Sequence, residues 1–364
     1  MSLHLPWPSI RPISLATSSD GLRRITASGC RYPAWRLARL VCLGILGLVL
    51  ASCQLRGNAP IVVKIGVIAP FEGIGRQLGY AILPGVRGEL ASANEARSFE
   101  PYRVALVALN DDLDPEEATA QARALARDPD VLAVIGLWSD ATARSALPIL
   151  QSAGVPTLLA TPSSESGATI FSLCPAPDRV AAELIREAQR SGALPVVVTG
   201  PDNSLRVALL ERSPGLVVVS ELATHPCEAS ASANCPVIHT GDAVSSAGAL
   251  SRWRAAGWEG PFIANPEAAR PWFIEQAGTA AEGVRAVVCG SSDSLPPDQD
   301  ASLQAAAGLA SGATRLVLSG LTHVVTGASH PTRSNIAKVL SSTAVGQDLA
   351  WIEVRNGRWV PLHE

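Results

Sequence analysis

Residues 61–68 read Ile61-Val62-Val63-Lys64-Ile65-Gly66-Val67-Ile68, a β-branched run interrupted by one lysine and one glycine. A strand with one wet face alternates apolar and polar side chains. This run does not alternate, so it reads as a strand covered on both faces, as inside a parallel sheet flanked by helices. The next segments of the chain agree with that assignment. Ile82, Val86 and Leu90 recur at four-residue spacing within 79–94 and predict a helix with one buried face. A strand over 102–109 is next, then a helix opened by Asp114-Pro115 with Glu116 and Glu117 in its first turn, the arrangement that suits the positive end of a helix dipole.

The alternation continues through a strand over 131–135, a helix over 141–153 closed by Gly154, and a strand over 156–160. Four strand–helix alternations in about 100 residues predict a parallel, doubly wound sheet. The pattern then restarts with strands over 170–174, 195–199 and 215–220 and a helix over 177–191. It resumes with a strand over 237–240, a helix over 247–256, and strands over 261–264 and 285–289. A long helix over 301–320 and a terminal hairpin, 351–354 with 358–361 around Asn356-Gly357, complete it. The fold class is α/β with two such units.

Upstream lie three segments in order: basic (Arg31, Arg36, Arg39), apolar (Leu40 to Ala51) and small, ending in Cys53. This is the order of a secretion signal. Twelve apolar residues make a helix of about 18 Å, short of the roughly 30 Å hydrocarbon core, so a cleaved leader is expected rather than a span. Leu50-Ala51-Ser52-Cys53 resembles a bacterial lipobox, which marks Cys53 for lipidation and predicts an extracytoplasmic protein anchored to the membrane by its acyl chains. Residues 1–52 carry six arginines against Asp20 alone, so a whole-chain charge of −3 leaves the body at −8. With Lys64 and Lys338 its only lysines, that body is unsuited to nucleic acid.

Export also governs the remaining cysteines: Cys174, Cys227, Cys235 and Cys289 are an even number with no zinc-ligand spacing. Cys227 and Cys235 flank a loop of seven small or polar residues and are expected to pair. Enzyme chemistry and cofactors are not indicated. Gly73-Ile74-Gly75-Arg76-Gln77-Leu78-Gly79 places its third glycine one residue late for a dinucleotide fingerprint and lacks the downstream acid of that motif. No G-x-S-x-G elbow and no metal-binding histidine pair is present.

In open α/β sheets ligands gather beyond the carboxyl ends of the strands. Three such loops are candidates: Gly136-Leu137-Trp138-Ser139-Asp140, which runs into a helix; Thr161-Pro162-Ser163-Ser164-Glu165; and Asn265-Pro266-Glu267. Ser139 or Asp140 could equally cap the helix, and any of the three could be a solvated turn.

These segments resemble the leucine-type (branched-chain amino acid) solute-binding proteins of ABC transporters. The resemblance runs through Lys64-Ile65-Gly66-Val67-Ile68-Ala69-Pro70, the helix entry from Asp111 to Ala126, Val134-Ile135-Gly136-Leu137-Trp138-Ser139, Ala153-Gly154-Val155-Pro156, and Ala281-Glu282-Gly283-Val284. It implies the type I periplasmic-binding-protein fold, two doubly wound lobes joined by hinge strands and closing on a small ligand that is passed to a permease. Residues 1–52 would be the leader, 53–60 a linker, 61–172 the first lobe, 173–288 the second, and 289–364 the return crossing and the elements completing both lobes. Ser139, Ser163 and Glu165 would hold the ligand's amino-acid backbone and Glu267 its ammonium. Phe71, Trp138, Asp140, Thr161, Ser164 and Asp202 complete the candidate ligand-binding set. The family runs its crossings side by side, which makes Cys174 and Cys289 a second candidate pair.

Departures from the family pattern bear on the ligand. Glu165 replaces a threonine, the aromatic expected around Asp202-Asn203-Ser204 is missing, and the stretch after Pro297 is shortened. Asp140, Glu165 and Glu267 face no lysine or arginine within the three loops, so a cation, a basic amino acid or polyamine, is expected as ligand. A sensor ectodomain of the same fold and a degenerate, non-binding lobe are the alternatives.

Overall fold

A computed structural model describes residues 60–191, 195–228, 233–291, 295–296, 298–343 and 348–362. The leader, Cys53 and the linker up to Ala59 lie outside the described residues.

The first lobe is built on a fully parallel five-stranded sheet. Its strands are β1 (Ile61–Ala69), β2 (Tyr102–Asn110), β3 (Val131–Gly136), β4 (Thr157–Leu159) and β5 (Ile170–Ser172), in the order β2-β1-β3-β4-β5. Helices α1 (Arg76–Glu95), α2 (Pro115–Arg127) and α3 (Asp140–Ser152) connect them. The decisive run behaves as its composition requires: Ile65 and Val67 pack into one apolar cluster and Ile68 into another on the opposite face. Gly66 belongs to the same logic, because a Cβ there would lie 2.7 Å from Leu125 Cδ1 of α2. Lys64 is tolerated near the strand's start because Asp128 takes its Nζ at 2.8 Å. Asp114 caps α2, accepting from the Glu116 and Glu117 N–H groups as the first-turn signals predict.

The second lobe carries seven strands in the order β12-β11-β10-β9-β8-β6-β7. These are β6 (Val197–Thr199), β7 (Val217–Val218), β8 (Val237–His239), β9 (Phe262–Ala264), β10 (Arg285–Cys289), β11 (Leu349–Arg355) and β12 (Arg358–Pro361). β6 to β10 are parallel, whereas β11 and β12 join antiparallel. Its helices are α4 (Pro177–Ser191), α5 (Ser204–Arg212), α6 (Ala243–Ala255) and α7 (Pro271–Ala277). α5 and α7 depart from the expected elements. Both are too short to show a period, and each is declared only by its start, the Asn203 cap on the Arg206 N–H and proline at the first position of α7.

Two C-terminal helices, α8 (Ala301–Thr326) and α9 (Arg333–Ser341), lie beyond the last parallel strand in the chain. α8 packs on α1 and β3 of the first lobe and on β10 and β12 of the second. One apolar cluster runs from Ile65 and Val67 through Ala306, Ala310 and Ala313 of α8 to Phe262, Phe273 and Trp359. Arg333, at the start of α9, places its guanidinium among five carbonyl oxygens, of Leu125, Ala126, Asp128, Val131 and Ala153. Four of these carbonyls lie at the ends of α2 and α3, where a cation meets the negative ends of both helix dipoles; those of Leu125 and Asp128 also accept from the Asp128 and Val131 N–H groups.

Candidate functional site

Loops beyond the carboxyl ends of parallel strands in the two sheets meet through Glu267, Asp140, Thr161 and Ser204. On the first lobe the chain leaves β3 through Gly136, whose φ of +144° and contact with Ile68 O leave no room for a Cβ. This turn delivers Trp138 and Ser139 to the head of α3. Ser139 Oγ accepts from the Thr142 N–H at 3.2 Å, so the hydroxyl acts as the helix cap. On the second lobe, the carbonyl of Thr240 beyond β8 accepts from Asn203 Nδ2 at 2.6 Å and Asn265 Nδ2 at 3.0 Å, which ties the loops after β6, β8 and β9 into one surface.

Glu267 joins the two surfaces. Its Oε1 accepts from the Asp140 N–H at 2.6 Å and from Thr161 Oγ at 3.2 Å, so an acid of the second lobe sits on the amino end of α3 in the first. Burial pushes its carboxyl up to about 7; the neighbouring Asp140 charge acts in the same direction, and the Asp140 N–H, Arg270 and Thr161 oppose it. Asp140 is itself held across the seam, with Oδ1 accepting from Ser204 Oγ at 2.8 Å and Oδ2 paired with Arg144 at 3.1 Å. At the rim Gln77 Nε2 donates to Glu275 Oε1 at 2.8 Å.

Beneath this seam lies a cavity of about 20 Å³, lined by Trp138 and Ala160 of the first lobe, Pro266, Arg270, Val288 and Cys289 of the second, and Ser302, Ala305, Ala306 and Leu309 of α8. Cys289 is disulfide-bonded to Cys174, with Cα atoms 5.3 Å apart, so a cystine forms part of the cleft floor. Cys227 and Cys235 are bonded to each other. A space of this size admits one water-sized group. Ligand pockets are far larger, roughly 300–1,000 Å³, so this cavity by itself holds only a small part of a ligand.

The structure thus brings together Trp138, Asp140, Thr161 and Glu267. Ser139, next to Asp140, caps α3, and the remaining candidates make other contacts. Ser164 and Glu165 are exposed, Asp202 is 92 % exposed beside Arg206, and Ser163 Oγ accepts from the Glu165 N–H. Phe71 is half-buried, with its backbone N–H on Asn110 Oδ1.

Arg270 is the site residue that the three candidate loops left out. It lies three positions beyond Glu267, just before α7, and it is buried against the cavity. Desolvation lowers it to about 10, with Glu267 and Asp300 opposing. Around Glu267 the charges are these: Glu165 is exposed, Asp140 is paired with Arg144, and Arg270 is a buried cation nearby. Among the described residues no group of three or more histidine, cysteine or acidic side chains could hold a metal ion.

Residues 62–213 match a family model described as periplasmic binding protein. Among solved structures, a leucine-binding protein LivK from Thermotoga maritima is 20% identical with a TM-score of 0.66, over 83% of this chain and 98% of that one. A substrate-binding protein from Desulfitobacterium hafniense in complex with Leu is 18% identical at 0.64, over 83% and 100%. The substrate-binding protein LivJ from Streptococcus pneumoniae, in complex with isoleucine, is 16% identical at 0.64, over 82% and 97%. The comparison with curated proteins finds no match. At these identities the solved structures speak for the fold, which is the two-lobed type I periplasmic-binding-protein fold; the family resemblance rests on the matched model together with it.

Proposed function

Starting from a chain that carries the periplasmic-binding-protein fold and matches that family's model over 62–213, we propose an exported, lipid-anchored solute-binding protein. It holds a small amino-acid-like ligand between two lobes and presents it to an ABC-transporter permease. Cys53 carries the anchor, the lobes divide near residues 172 and 288, and the protein carries its ligand unchanged. One observation supports this most: loops from both lobes converge at the carboxyl ends of their strands on a seam that holds an acid, a cation and an indole N–H. Complexes of fold relatives with leucine and isoleucine support an amino-acid-like ligand. Glu267 and Arg270 supply one charge of each sign for a zwitterion. A free amine would meet Arg270 unfavourably.

A thermal-shift screen of amino acids and amines tests the reading. A ligand at 100 times its dissociation constant adds about 2.7 kcal/mol of stability. A melting rise for one chemical class, confirmed by calorimetry at one site per chain, is expected; no rise with any amino acid or amine at millimolar concentration refutes the reading. Cys53→Ser should move the protein from the membrane fraction to the soluble one, and an unchanged distribution would defeat the anchor.

A further inference from the structure

Arg270 and Trp138 reach the floor cavity from opposite lobes, at 8 % and 2 % exposure. A guanidinium carries five N–H donors. Among the described residues Arg270 makes one side-chain hydrogen bond, from Nη1 to its neighbour Ala269 O at 3.3 Å. The Trp138 indole Nε1 is buried without an acceptor among those residues. The third polar side chain of the lining, Ser302, already donates its hydroxyl to Asp300 Oδ1 at 2.5 Å. Of the two acids whose charge bears on Arg270, Glu267 accepts through Oε1 from the Asp140 N–H and Thr161 Oγ and Asp300 through Oδ1 from the head of α8, and among the described residues neither makes a hydrogen bond with Arg270.

A buried indole N–H without an acceptor, beside a guanidinium whose other N–H groups have no protein partner among the described residues, defines a site for an acceptor. The guanidinium makes that acceptor anionic, and its planar fork matches a carboxylate. The amino end of α3, the other place in the cleft that would attract an anion, is covered by Glu267. A ligand's negative group is therefore left with Arg270.

We propose that Arg270, together with the Trp138 indole N–H, binds a carboxylate of the ligand and restricts the cleft to carboxylate-bearing solutes. The proposal rests on the solute-binding reading. The cavity of about 20 Å³ admits one oxygen of such a group, and the remainder of the ligand enters as the lobes part. The carboxylate belongs either to an amino-acid backbone or to an acidic side chain.

Sodium formate probes the cavity whatever the natural ligand is. Titrated into nitrogen-15-labelled protein, it should shift the indole N–H resonance of Trp138, assigned by its loss in Trp138→Phe, saturably in the wild type and not in Arg270→Gln. Arg270→Lys, which keeps the charge, should retain part of the shift, and a cooperative melting transition of Arg270→Gln shows that its loss is not a folding defect. No saturable shift in the wild type, or an equal shift in Arg270→Gln, overturns the proposal. Calorimetry with leucine against leucinamide, glutamate against glutamine, and putrescine tests selection. The amide of the relevant pair should bind on the order of 100-fold more weakly than the acid in the wild type, and within about threefold in Arg270→Gln. The pair that responds identifies the source of the carboxylate. Amides or putrescine binding as tightly as the acids overturns the proposal and leaves solute binding standing. A formate shift without binding of any panel member supports the carboxylate site and counts against the solute-binding reading.

Discussion

Glu267 is an acid held across a seam between two lobes, and proton activity should set how firmly that seam closes. Its ordinary value is 4.5, and burial at the seam raises it to about 7. The closed form therefore holds a proton that the opened or unfolded form has released. Between pH 4.5 and 7 the closed form binds more protons, so stability falls as pH rises through this window and is flat above it. A rise of about 2.5 units corresponds to about 3 kcal/mol, and partial solvent contact of the residue brings the expectation to about 2–3 kcal/mol. The surrounding charges are Asp140, which raises the value, and Arg270, which lowers it, with Arg144 paired to Asp140 behind them. Glu267→Gln keeps the shape and an acceptor oxygen but cannot ionise. Melting curves of both proteins from about pH 5 to 8 should converge at low pH and separate as pH rises, the wild type falling behind the variant. Asp111, raised to about 6 mainly by burial, and His239 titrate in both proteins and cancel in the difference. Parallel profiles would refute the reasoning.

Further outcomes can be measured independently. Arg333→Ala removes the guanidinium from five carbonyls, two of which keep a backbone donor, and should cost about 3 kcal/mol in urea unfolding, with Arg333→Lys recovering part of it; a loss under about 0.5 kcal/mol would contradict the role described. Removing the Cys174–Cys289 bond, which spans 115 residues, should lower stability by about 5 kcal/mol, and removing Cys227–Cys235, which spans 8, by about 2.5 kcal/mol. Paired serine variants compared by melting temperature would show the reverse order if loop closure were not the cause. His239 is fully buried, its Nδ1 accepting from the Gly241 N–H at 3.0 Å and bonded to Ser246 Oγ at 2.8 Å, and burial pushes it down to about 3. The folded state keeps it neutral while the unfolded chain protonates below pH 6.5, so it should erode stability by about 4 kcal/mol as pH falls from 6.5 towards 3. A His239→Gln variant whose acid limb is as steep as the wild type's would contradict this.

Features that act within a few residues were legible in the sequence. The both-faces-buried character of β1, the Asp114-Pro115 helix start and the Asn356-Gly357 hairpin each arise from local chemistry, and each stands in the structure. The helix after β3 was legible too, but whether Ser139 capped it or faced a ligand was not, because one hydroxyl suits both tasks. Features that depend on packing were hidden. Glu165 and Glu267 look alike in sequence, yet one is solvated and the other lies on a helix of the opposite lobe. Arg270, directly before Pro271, reads as an ordinary residue entering a helix; its burial comes from α8, about 30 positions downstream, which closes the cavity over it. Ser204 gives no motif at all, and only the approach of Asp140 assigns it a partner.

The cystine in the cleft floor makes residues 174–289 a covalent ring. β6 to β10 lie within that ring, and the chain enters and leaves it at a single pin. A break in any surface stretch of the ring would release no fragment, because both halves remain joined at the pin. The two chain segments fastened at Cys174 and Cys289 also cannot slide past each other. The pin borders the same cavity as Arg270, so the covalent tie and the buried cation share one part of the seam.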